Sequence, residues 1–164
     1  MSATRELRCF EYVNRPFAEV RDVLQKDPNG IFRRATQGAA GRAESLFATL
    51  HVAVAGIEVG KEVRIEVRSV KEHTDPGLGP VIVFQLEWHA AESGALFPAM
   101  KADLSLYRLG KEETQLELSG SYEPPLGALG KMLDALVMHR VAEASVHRFV
   151  VDVATLLRTE GRPA

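Results

Sequence analysis

Arg140, Glu143 and His147 fall within two turns of one uninterrupted helical stretch, and their side chains are of the types that orient ligands or move protons. Arg140 and His147 are seven residues apart, and Glu143 lies within reach of both. On a wheel of about 100° per residue the three fall among Leu133, Leu136, Val150 and Val151, which predicts that they point to the buried side of the helix. A buried cation is costly unless paired, so Arg140 is expected to meet Glu143 or another carboxylate. Such a patch would orient a carboxylate, hydroxyl or carbonyl of a bound molecule. The alternative is that the three residues pair with one another or reach out to the helix edge.

His139-x-x-x-Glu143-x-x-x-His147 also invites a metal reading. Residues four apart can share an ion, but eight residues of helix separate His139 from His147 by about 12 Å of rise. Both cannot reach one ion on a straight helix. His51, His73 and His89 supply no ligand-spacing motif, so no metal is expected. The chain has no Gly-x-Ser-x-Gly elbow, no phosphate-cradling glycine loop and no Cys-x-x-Cys. No catalytic residue and no cofactor are therefore assigned. Cys9, the lone cysteine, sits in a strand-like segment with no helix N-terminus to activate it, and reads as a packing residue.

The elements that would position these residues are legible in the periodicity. Nothing between Lys131 and Arg158 is Gly or Pro, so a helix of about 30 residues is expected from near Leu126 to Arg158. Glu6–Val13 reads as a strand. Asn14-Arg-Pro-Phe opens a short helix to about Gln25, Asp27-Pro-Asn-Gly breaks it, and a second short helix covers roughly Ile31–Gln37. From Glu44 the period becomes two, giving strands at about Glu44–Ala55, Glu58–Lys71, Pro80–Ala90, Ala99–Leu109 and Glu113–Tyr122. Short turns between them require antiparallel pairing. The fold class is α+β: a curved antiparallel sheet of about six strands wrapped around a long C-terminal helix, with two short helices after the first strand. Residues 1–164 are expected to form one domain.

Alternation places Phe84, Trp88, Leu104, Leu118 and Tyr122 on inner strand faces, and Leu136 on the apolar side of the helix. These six are the expected wall of an apolar cavity, with Arg140, Glu143 and His147 as its polar patch.

This order of elements resembles the START-like superfamily, the helix-grip group also called polyketide cyclase/dehydrase and lipid transport proteins. Within it the chain looks most like uncharacterised actinobacterial members. The residues that carry the resemblance are the strand end at Trp88, Leu96-Phe97-Pro98, and the run from Thr114 through Ser119-Gly-Ser-Tyr-Glu-Pro-Pro-Leu-Gly-Ala-Leu-Gly. Leu133-Asp134 and His139-Arg-Val-Ala-Glu-Ala continue it into the helix. The resemblance implies a cavity between sheet and helix that holds an apolar molecule, and it implies no reaction.

Three functions stay open at this level. The first is binding or carriage of a small hydrophobic or amphipathic molecule. The second is a polyketide cyclase/dehydrase-type enzyme using Arg140, Glu143, His147 or Tyr122. The third is a protein-interaction module with a vestigial cavity. Composition narrows the partners. The net charge of −2 and the lack of a basic stripe argue against nucleic acid, and no apolar run approaches the length of a membrane span. One cysteine and an N-terminus without an apolar leader fit a cytoplasmic protein, as monomer or homodimer.

Overall fold

The computed structural model describes residues 5–37, 63–90, 99–123 and 135–161. Strand β1 spans Arg5–Val13, with Leu7 and Val13 buried on one face and Arg8, Phe10 and Tyr12 exposed on the other. Helix α1, Phe17–Lys26, follows Pro16, whose fixed φ suits a helix start. It buries Phe17, Val20 and Leu24, one apolar residue per turn.

Helix α2 covers 28–37, three residues earlier than the pattern predicts. Asp27-Pro-Asn-Gly does end α1, but it also starts α2. The Asp27 carboxylate accepts the Gly30 N–H at 3.0 Å as an N-cap, and Pro28 takes the first helical position, where its missing N–H costs nothing. Ile31, Phe32, Ala35 and Thr36 are the buried face of α2.

Four more strands follow: β2 Val63–Asp75, β3 Gly79–Ala90, β4 Ala99–Gly110 and β5 Glu113–Glu123. The sheet order is β1-β5-β4-β3-β2 and every pair is antiparallel, as the short turns require. The described residues hold five strands rather than about six. The strand expected at Glu44–Ala55 lies outside them. The β2–β3 turn forms because the Asp75 carboxylate accepts the N–H groups of Gly77 and Leu78 at 2.8 and 3.0 Å, while Gly79 takes φ +79°. Both strands consequently run further towards this turn than alternation alone indicates. A bulge between Val67 and Ser69 resets the phase of β2, so that Ile65, Val67 and then Val70 pair with Trp88, Leu86 and Phe84. Gly120 permits the close passage of β5 past β4: a Cβ there would lie 2.5 Å from the Ala102 Cβ.

Helix α3, Ala135–Thr159, lies on the inner face of this curved sheet. Its buried stripe is Ala142, Ser145, Val146, Phe149, Val150, Val153, Ala154 and Leu157. The C-terminal end of α3 is clamped by Arg15, a buried arginine whose guanidinium donates to the Leu157 and Glu160 carbonyls at 2.9 and 2.7 Å. These are carbonyls that the helix itself leaves unpaired, at the negative end of its dipole. Glu19 balances the charge at 3.1 Å, and the Thr114 hydroxyl holds the Arg15 carbonyl.

The core is aromatic at its centre. Phe32 meets Phe84 edge-on at 5.5 Å, and Trp88 meets Phe149 edge-on at 4.8 Å. Among the described residues no helix is long and apolar enough to cross a membrane.

Candidate functional site at the Tyr122 end of the inner face

Strand register sets one row of side chains across the sheet: Arg5 opposite Tyr122, Tyr122 opposite Met100, Met100 opposite Trp88, and Trp88 opposite Ile65. The N-terminal half of α3 approaches this row, and His139 descends onto it. The Tyr122 hydroxyl lies 2.7 Å from His139 Nδ1, and the two rings stack with centroids 6.0 Å apart. On its far side His139 Nε2 lies 3.1 Å from the Glu143 carboxylate, one helical turn on. With the imidazole neutral, Nε2–H donates to Glu143 and leaves Nδ1 to accept the phenol proton. The result is a continuous hydrogen-bond chain from a buried phenol to an exposed carboxylate.

The electrostatics of Tyr122 follow from this placement. Burial raises its pKa, the Arg5 guanidinium lowers it through charge and a hydrogen bond, and Glu143 raises it again; the net direction is upward. At neutral pH the phenol therefore keeps its proton and acts as a hydrogen-bond donor. Trp88, at the other end of the row, satisfies its indole N–H on the Thr36 hydroxyl at 3.1 Å.

Of the expected wall residues, Phe84, Trp88, Leu104, Leu118 and Tyr122 are all buried on the inner face. They belong to one buried cluster with Phe32, Phe149 and the α3 stripe. The Leu136 side chain lies outside the described residues. Two hollows formed by described residues lie elsewhere. One of about 350 Å³ is on the outer sheet face between Arg68, Glu87, Lys101 and Asp103, and one of about 180 Å³ is between α1 and the β2–β3 hairpin.

The expected polar patch is corrected by the structure. Arg140, Glu143 and His147 are exposed, not turned to the inner face. A wheel phased on Leu133, Leu136, Val150 and Val151 turns them inward. The helix is instead seated on the stripe Ala142-Val146-Phe149-Val153-Leu157, which turns Arg140 and His147 outward. Glu143 pairs with His139 rather than with Arg140. Sequence reasoning weighs His139 only as a metal ligand and misses its contact with Tyr122. The signal is nonetheless present: His139 lies three residues before Ala142 and seven before Val146, in phase with the buried stripe. Among the described residues no three potential ligands gather to hold a metal ion.

No protein-family profile and no curated protein matches the chain. Solved structures do resemble it. The protein TTHA0849 from Thermus thermophilus is 16% identical, with 96% of this chain and 100% of that one covered at a TM-score of 0.48. The Zhui aromatase/cyclase from a Streptomyces species is 17% identical, with 98% and 100% covered at 0.41. Truncated norcoclaurine synthase from Thalictrum flavum is 10% identical, with 98% and 97% covered at 0.44. The element order, the β1-β5-β4-β3-β2 sheet and the terminal helix laid along its apolar face give this chain a helix-grip fold: a curved antiparallel sheet closed by a long C-terminal helix.

Proposed function

We propose that the chain, acting as one domain, binds a small hydrophobic or amphipathic molecule at the Tyr122 end of the interface between sheet and α3. The observation that carries this reading is the Tyr122–His139–Glu143 chain, a fixed polar group set beside the apolar Met100 and Trp88. Sites for small molecules commonly combine apolar walls with a few placed polar groups. Trp88 and Tyr122 are the contact residues in this reading, while Phe84, Leu104 and Leu118 form the packed floor behind them. Glu143 acts through His139, and Arg140 and His147 take no part.

Native mass spectrometry of the purified protein tests the reading directly. A co-purified small molecule that is lost, or bound more weakly, in Tyr122→Phe is the expected result. A bare protein mass, together with no change in Trp88 fluorescence across a panel of apolar compounds, would overturn it.

The same chain favours a second reading, an enzyme in which Tyr122 gives its proton to the substrate and recovers one from His139 Nδ1–H after the imidazole has taken up a proton from solvent, which leaves the ring neutral again. Product appearing from a bound compound, with a rate lost in both Tyr122→Phe and His139→Gln, distinguishes catalysis from carriage. A single cysteine, which needs no oxidising compartment, supports a cytoplasmic setting for either role.

A further inference from the structure

Arg5 is a cation on the wrong face of its strand. It shares parity with Leu7 and Val13, which are buried under α3, while the outward residues of β1 are Glu6, Arg8, Phe10 and Tyr12. The other β1 cation, Arg8, is held on the outer face by Glu117 and lies over the Phe10 ring. Arg5 instead faces the neutral phenol of Tyr122, its partner across the β1–β5 pair. Among the described residues it pairs with no carboxylate. A guanidinium carries five N–H donors and no acceptor, so the single phenol oxygen across the strand pair leaves most of them uncommitted. Partial burial on an apolar face makes those donors more valuable to an anion than they would be in water.

Resting on the reading of this end as a small-molecule site, we infer that the polar group it recognises is a carboxylate, held by Arg5 with the apolar body of the molecule directed towards Met100 and Trp88. The planar fork of arginine matches a carboxylate in a two-bond arrangement. A monoanion is favoured over a phosphate dianion because Glu143 stands just beyond His139, and its charge already raises the Tyr122 pKa. The phenol is not the primary donor to the ligand: its proton is committed to His139 Nδ1. Its oxygen instead steadies the guanidinium, and the His139–Glu143 pair steadies the phenol in turn.

The test uses acid and ester pairs that differ only in charge: laurate with methyl laurate, and naphthoate with methyl naphthoate. Affinities for the full chain are measured by calorimetry and by Trp88 fluorescence. The expected result is that each bound acid is preferred over its ester by roughly tenfold or more, the value of one charge-assisted hydrogen-bonded pair. Arg5→Met should erase that preference while leaving ester affinity in place. Arg5→Lys, which keeps the charge but loses the fork, should retain only part of it. Equal affinity for acid and ester in the unmodified protein, which needs no variant to fold, overturns the carboxylate inference and leaves the apolar site standing. So does a preference that survives Arg5→Met. Failure to bind any of the four compounds removes the small-molecule reading and the inference together.

Discussion

At the scale of single residues, the Tyr122 hydroxyl is the group on which most depends. Tyr122→Phe keeps the ring and its stacking but removes the bond to His139, which at partial exposure should cost about 1 kcal/mol. Urea denaturation measures it; a loss well beyond that value would mean the phenol organises more than this one contact. Cys9 offers a pH prediction. Burial, with the Glu11 charge adding to it, pushes its thiol from 9.0 up to about 11. The folded state thus holds the proton more tightly than the unfolded chain. The stability this gives is complete below pH 9.0 and drains away as pH rises towards about 11. A Cys9→Ala variant should show a flatter fall in urea midpoint across that window. At this scale the sequence is a mixed guide. The inward positions of Trp88 and Tyr122 are legible because strand alternation leaves two choices. The phase of the helix is not, because Ala142 and Ser145, small and weakly apolar, are buried, while Val151 is only half-buried. A wheel weighted by large aliphatic side chains then settles on the wrong phase.

At the scale of elements, the Arg15 clamp joins the start of the chain to the end of α3. Arg15→Met should cost about 3 kcal/mol, since two helix-terminal carbonyls lose a charged donor inside the protein. Hydrogen exchange should show the loss concentrated in the last turns of α3, whereas uniform weakening of the whole fold would contradict the clamp. Nothing in the local sequence announces this role, because its partners are backbone carbonyls 142 and 145 residues away. By contrast the five described strands, their antiparallel order and the two short helices can be read from periodicity and turn residues, with errors in these elements confined to boundaries. Asp27-Pro-Asn-Gly reads as a stop alone because those residue types end one helix and begin the next equally well.

At the scale of the whole molecule, the aromatic centre ties α2, the sheet and α3 together through Phe32, Phe84, Trp88 and Phe149. Phe149→Ala should destabilise the protein by about 3–5 kcal/mol, with Trp88 emission shifting to the red as its edge-on partner is lost. An unshifted spectrum would show that the centre repacks. The order of pairing in the sheet carries a different consequence. β1 is the first of the described strands, yet its neighbour is β5, and Arg8 finds Glu117 109 residues later. During synthesis β1 must therefore wait, with Leu7 and Val13 uncovered, until β5 has left the ribosome. Folding is then closed by an encounter between two strands far apart in the chain, paid for in loop entropy before any contact rewards it. Stopped-flow refolding followed by Trp88 should accordingly fall on the order of milliseconds to seconds. Cells making this protein quickly would be expected to shelter β1 until β5 arrives.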